Sequence, residues 1–428
     1  MLRRLRRYAR KVFHLDGMVA GTLHDRREAP RRALPGVWMS ALLMFLFSRP
    51  TLHALEQDLK GRHGPRAGKR PAGAPSERTI RRVFEWISLD ELRAMIGMMV
   101  AVLRRNKVPL AAARLRGWIA AAFDGHELFA SPVRGCAECL ERQVTTKDRK
   151  TGQKRTHTEY YHRVVVAFVV DGLIPTVLDV ELVRPGEGEI VAARRLLERV
   201  LEAHARLFDI ATGDALYGDK AFIQVLRRAH KHFIIVLKDD RRELLAEADA
   251  LRRHLKPRTW TEGDRRCTVW DVGDLWSWWR GPQVTLRVVW SEEVSLRPRP
   301  GRRRRGETER VASTWVWMTD LPPALWSARE VWRLGHKRWH IENRCFHDGA
   351  VHWGFDHCFH HHPNAIVAFL LTLAIGVVLV HTFLKRNVHA ALRKLYDTVL
   401  GLRGQFHRDF GTDLSWSEWV RAGFASGP

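Results

Sequence analysis

Three acids carry the residue types and settings that could do chemistry. Asp124 closes the run AAAFDG, Asp214 closes IATGD, and Glu342 sits in KRWHIENRCF. A lone carboxylate in such apolar surroundings is costly to desolvate without a compensating cation. Three carboxylates brought together can hold two divalent ions, and all-oxygen ligation selects Mg²⁺ or Mn²⁺. Two such ions clamp a phosphodiester, activating water or a 3′-hydroxyl on one side and stabilising the leaving oxygen on the other. No nucleophilic side chain is then needed. Each aspartate also has a plainer reading, Asp124-Gly125 as a turn and Asp214 as a helix cap. Glu127, Glu189 and Asp219 are competing acids, with Glu189 read as a first-turn helix charge.

The elements around these acids decide whether they can meet. Strand patterns cover WIAAAFDG, YYHRVVVAFVV and LIPTVLDVELV, the last two joined at Asp171-Gly172, a hairpin signal. A helix over 188–208, a strand ending at Asp214, the helix AFIQVLRRAH and the strand HFIIVLK complete a βββαβαβ order. In a sheet of the ribonuclease-H type the first and fourth strands are neighbours, so Asp124 and Asp214 end up beside each other. The distance along the chain from Asp214 to Glu342 is too long without an inserted domain, which the strand-like stretch 240–325 supplies. The fold class expected is α/β: a ribonuclease-H-like mixed sheet flanked by helices, with a β-rich insertion and helical N- and C-terminal parts. Further helices are read at 38–47, at 89–103 behind a Ser88/Glu91 capping box, and at 328–346, where Arg338 and Glu342 share one face at i,i+4. The apolar run 365–380 has 16 residues, short of the roughly 20 a membrane span wants, and reads as a buried helix with no membrane partner.

Charge narrows the partner. The 428 residues hold 72 Lys+Arg against 47 Asp+Glu, a net charge of +25. Such an excess calls for a polyanion, with nucleic acid first and anionic lipid second. Basic residues at 142–155, 194–195 and 302–305, and the Gly/Pro-interrupted stretch 61–75, would track a phosphate backbone. Five scattered cysteines suit a reducing cytosol, and no secretory signal is evident at the N-terminus. Cys136 and Cys139 have metal-like spacing, and with His357 and Cys358, or with a histidine of 360–362, they form a candidate structural Zn²⁺ site. Eleven of the 17 tryptophans lie between 260 and 339, where sheet packing and base stacking compete as explanations.

Over roughly Trp118 to Val380 the chain resembles a DDE transposase of the bacterial insertion-sequence type. The resemblance rests on strand-borne Asp124, on Asp214-Ala-Leu-Tyr217, and on Arg338-x-x-x-Glu342. In the family signature Tyr-x-x-Arg-x-x-x-Glu-x-x-x-x-x-x-Lys, the Tyr and Lys positions are Gly335 and Gly349 here, so the roles of those two are not carried over. The resemblance implies Asp124, Asp214 and Glu342 as catalytic metal ligands. Arg338, Tyr217 and Lys238 would bind or orient DNA. It further implies cleavage at terminal inverted repeats, strand transfer into target DNA, a homodimer in the active complex and a cytoplasmic, nucleoid-associated location. The segments expected are a helical DNA-binding or dimer region over 1–110, a first part of the catalytic core over 111–239, the insertion over 240–325, completion of the core with the Glu-bearing helix over 326–385, and a helical tail over 386–428.

Overall fold

The computed structural model describes all residues except 61–67, 70, 109, 111–116, 148–150, 205, 239–241, 277–284, 299–307, 397 and 421–428. Parts of the basic stretches 61–75 and 142–155, and the run 302–305, therefore lie outside the described residues.

Ten strands form one mixed sheet in the order β2-β3-β1-β5-β6-β10-β9-β8-β7, with β4 on β3. They are β1 (Ala120–Ser131), β2 (Leu140–Lys147), β3 (Lys154–Val169), β4 (Val177–Leu182), β5 (Ile210–Gly213), β6 (His232–Val236), β7 (Arg258–Glu262), β8 (Arg265–Trp276), β9 (Thr285–Pro298) and β10 (Thr308–Thr319). The α/β expectation holds, with helices flanking the mixed sheet. Two compact units divide the chain. One comprises Met1–Leu110, Gly125–Ala203 and Glu342–Pro428, the other Ala111–Asp124 and His204–Ile341.

The first unit begins with six helices: α1 (Leu2–Phe13), α2 (Leu15–Thr22), α3 (Leu34–Leu46), α4 (Leu52–Leu59), α5 (Glu77–Phe84) and α6 (Leu89–Arg105). Only half of the expected capping box forms at α6. Ser88 accepts from the Glu91 amide, but the Glu91 carboxylate accepts instead from the His24 amide at 3.1 Å. The β3–β4 hairpin forms as read, with Asp171 at φ 59° in its connection. β2 was not expected. Its sequence LERQVTTK has no apolar face, and it is a largely exposed edge strand on β3. α7 (Glu189–His204) follows β4. The apolar run forms α11 (Pro363–Arg386), whose most apolar window is 89% buried against α3, α5, α6 and β4. It is a core helix, as its pattern predicts. Three short helices, α12 (Ala390–Leu395), α13 (Val399–Asp409) and α14 (Trp416–Val420), end the described chain.

In the second unit β1, β5 and β6 are parallel neighbours. The IATG of β5 is wholly buried, as befits a parallel strand covered on both faces. A 3₁₀ turn (Ala215–Gly218) and α8 (Lys220–Arg228) lead from β5 to β6. The inserted stretch is not a separate sheet. It opens with a helix, α9 (Arg242–Arg252), and its strands β7 to β10 continue the main sheet through the antiparallel pairing of β10 with β6. α10 (Ala328–Lys337) packs on β6, β8 and β9.

Candidate active site

The register of the two parallel strands places the aspartates. Ala122 of β1 is the Cα partner of Thr212 of β5. Asp124 and Asp214 each lie two residues further on, and the Asp214 backbone is still extended (φ −76°, ψ −173°). Side chains alternate along a strand, so both acids share the face of Ala122 and Thr212 on strands about 4.8 Å apart. Asp124 lies inside a strand that runs on to Ser131, which removes the turn reading. For Asp214 both readings hold, because its Oδ1 also accepts from the Leu216 amide at 2.9 Å and caps the 3₁₀ turn.

Behind that turn the packing is tight. Tyr217 is fully buried, its ring edge-on to Phe222, and a Cβ at position 213 would lie 2.7 Å from the Tyr217 Cβ. Gly213 is thus required where the aromatic folds back over the strand end. Tyr217 therefore props the Asp214 turn from within. Asp219, a competing acid, caps α8 by accepting from the Phe222 amide. Lys238 is exposed, two residues beyond the end of β6.

Arg338 reaches Asp124. Its guanidinium donates to Asp124 Oδ2 at 3.0 Å, and the residue is only 6% exposed, so the pair is not a solvated surface bridge. What aims Arg338 is α10, held to β9 by the buried Glu293. One carboxylate oxygen of Glu293 takes bonds from Trp332 Nε1 (2.7 Å), Ser291 (3.0 Å) and the His336 ring (2.8 Å), while Arg265 lies 3.0 Å from the other. Burial alone would raise the Glu293 pKa. The His336, Trp332 and Ser291 donors outweigh it and hold the carboxyl below its ordinary range. The insertion thus supports the element that delivers Arg338. Several tryptophans of the 260–339 cluster are packing residues, with Trp317, Trp326 and Trp332 buried. Gly335, at the signature's Tyr position, has no room for a side chain, since a Cβ there would come 2.5 Å from the Trp317 ring. Trp260, Trp270, Trp290 and Trp315 are partly exposed, and Trp339 is exposed, with the Arg338 guanidinium 4.8 Å above its ring.

The continuous helix expected over 328–346 does not form. α10 ends at Lys337, Arg338 is its C-cap, and Glu342 opens a π-helical stretch, Glu342–His347, followed by another at Gly349–Trp353. Arg338 and Glu342 therefore do not belong to one α-helix. Glu342 belongs to the first unit, whereas Asp124, Asp214 and Arg338 belong to the second. The other competing acids have partners. Glu127 pairs with Arg142, and Glu189 opens α7 as read and pairs with Arg163 at 2.7 Å. A Cβ at Gly125 would run into the Glu189 carboxylate. Two of the expected phosphate-tracking arginines are also matched internally, Arg142 by Glu127 and Glu159, Arg195 by Glu181 and Glu187.

The cysteine pair does find company. Cys136 and Cys139 Sγ lie 3.6 Å apart, and the His162 Nε2 is 3.3 Å and 3.5 Å from them. His162 was not in the expected set. It is hidden in β3 as the one histidine of YYHRVVVAFVV, and its burial at 0% exposed is the signal, since a polar ring on a core-facing strand position needs a partner. His357 packs its ring against Phe359.

A family model described as the transposase DDE domain matches residues 130–379. That span is more than half of the chain and includes Asp214, Arg338 and Glu342; it begins within β1, after Asp124. The chain belongs to this family of DDE transposases. No curated protein matches it. An oxygen-only pair on one face of adjacent strands suits the divalent ions such enzymes use.

Proposed function

We propose that this transposase cuts DNA at the terminal inverted repeats of an insertion sequence and joins the freed 3′-hydroxyl to target DNA. The observation that carries the reading is the common register of Asp124 and Asp214 on adjacent parallel strands. Asp124 and Asp214 would hold Mg²⁺ or Mn²⁺, and the family resemblance adds Glu342 as the third carboxylate. Ions held there supply an activated water or 3′-hydroxyl and stabilise the leaving oxygen. The chain's own part is orientation. The strand register fixes the two aspartates, the turn packed on Tyr217 keeps Asp214 at the strand end, and the buried Arg338 aims Asp124. Lys238 and the remaining surface cations would follow the DNA backbone, with two protomers pairing two element ends in the cytoplasm at the nucleoid.

A nuclease that only hydrolyses DNA would use the same acids. The two are separated by giving purified protein a DNA end with a free 3′-hydroxyl, target plasmid and Mg²⁺. Joined products are expected from the wild type and from none of Asp124→Asn, Asp214→Asn or Glu342→Gln. Hydrolysis without any joined product would leave the nuclease. Full activity in any one of the three variants would remove that residue from the site.

A further inference from the structure

The turn between β1 and β2 folds Cys136 and Cys139 to one side, with the Cys139 amide donating to the Cys136 carbonyl at 3.4 Å. His162, from the middle of β3, closes a triangle with edges of 3.6, 3.3 and 3.5 Å. Zn–S bonds of about 2.3 Å and Zn–N bonds of about 2.0–2.1 Å in a tetrahedron imply S···S edges near 3.8 Å and S···N edges near 3.6 Å. The triangle is within a few tenths of an ångström of one face of that tetrahedron. It is too wide for a disulfide, and both cysteines are free thiols.

A fourth group stands over the same turn. The His361 ring lies so close to Gly135 that a Cβ there would be 2.2 Å from its Nδ1. Position 135, immediately before Cys136, is thus open to the ring only as glycine. The His361 Nδ1 is buried without a hydrogen-bond partner, its ring centroid is 6.3 Å from that of His162, and Phe129 packs edge-on to both rings. Three soft or borderline donors are already drawn together, and His361 stands beside them within the first unit.

We propose that Cys136, Cys139, His162 and His361 bind one structural Zn²⁺ in a closed Cys₂His₂ site. Zinc replaces the two thiol protons, and two thiolates with two neutral imidazoles leave a site of zero net charge, which is why it can sit among Phe129 and its neighbours. The ion ties the β1–β2 turn to β3 and to the segment that enters α11. The site is independent of the carboxylates and of the transposition reading, because its donors are sulfur and nitrogen and its test needs no DNA.

The full-length chain is purified without chelator, its metal content measured by mass spectrometry, and the zinc exchanged for Co²⁺. One zinc per chain is expected, with the intense d–d bands and thiolate charge-transfer band of tetrahedral Co²⁺. Cys136→Ser, Cys139→Ser and His162→Gln should each abolish the charge-transfer band or reduce it. His361→Gln should weaken Co²⁺ binding by at least about 10²-fold, one ligand's share of a typical structural zinc affinity. Because a ligand variant can misfold, Co²⁺ titration of the wild-type chain stands as the primary measurement. A wild-type chain that holds no zinc and gives no tetrahedral Co²⁺ spectrum, or one whose Cys136 and Cys139 are found joined as a disulfide, overturns the site. An unchanged spectrum and affinity in His361→Gln, together with loss in Cys358→Ser, overturns the fourth ligand.

Discussion

The paired positions of β1 and β5 and the turn after β1 solve opposite problems with the same kind of scaffold. On these adjacent strands two carboxylates share a face, neither aspartate is fully buried, and one is already matched by an arginine. In the turn, two thiols and an imidazole are drawn to hydrogen-bond distance, with His162 fully buried and Cys139 nearly so. Hard oxygen donors left accessible suit ions that must meet a phosphate. Soft donors closed off from water suit an ion that never leaves. The difference lies less in the number of acidic or sulfur ligands than in what surrounds them: adjacent parallel strands in one case, a tight turn roofed by aromatic rings in the other.

Chemistry and stability should be separable between the two places. The largest effect is expected from Asp214→Asn, which should slow single-turnover cleavage by about 10³-fold, several kcal/mol of lost transition-state stabilisation. The asparagine can still accept from the Leu216 amide, so thermal unfolding should be unchanged. Cys139→Ser should do the reverse. It is expected to lower stability by on the order of 3 kcal/mol while leaving cleavage per folded molecule intact. If Asp214→Asn unfolds the chain, or Cys139→Ser abolishes cleavage in a folded one, the division of labour is wrong.

Acid should attack the unit that holds the thiol turn. His381 lies in α11, stacked on Trp353, and burial pushes its pKa down to about 4, helped by Lys385, Arg344 and Arg403. The unfolded chain takes up that proton near pH 6.5, while the folded chain refuses it until about pH 4. The stabilisation is therefore complete above pH 6.5 and is lost as pH falls through that window, by roughly 3 kcal/mol. His381→Phe keeps a ring on Trp353 and should flatten the acid limb of a stability–pH curve measured by chemical denaturation. An equally steep limb in the variant would place the acid sensitivity elsewhere.

How much of this could be read from the chain follows from which signals are periodic. Asp124 and Asp214 were legible because an acid that closes an apolar strand-like run is visible, and because the order of strands and helices makes the first and fourth neighbours. β2 was not, since LERQVTTK covers nothing and so carries no alternation. The break after Lys337 was equally hidden. A π-helical turn differs from an α-helical one by a single residue in its hydrogen-bond spacing, and no residue type announces it. The insertion's strands were legible one by one, but their continuation of the main sheet depends on the β10–β6 pairing, a long-range choice. His162 was missed because a lone histidine in a strand is ordinary until its neighbours in space are known.

The smallest expected effect tests how Arg338 is delivered. α10 begins with a complete capping box, the Ser327 amide donating to Glu330 Oε2 at 2.8 Å and the Glu330 amide to Ser327 Oγ at 3.3 Å. Ser327→Ala should cost about 1 kcal/mol, the ordinary price of a lost cap. The other end of α10 is held independently by Glu293, through Trp332 and His336. The helix should therefore fray at its start without moving Arg338, and cleavage should fall less than about 3-fold, well under what 1 kcal/mol could remove if it all bore on the transition state. A cleavage loss matching the whole stability loss would mean that the cap, not the Glu293 anchor, sets the aim of Arg338 at Asp124.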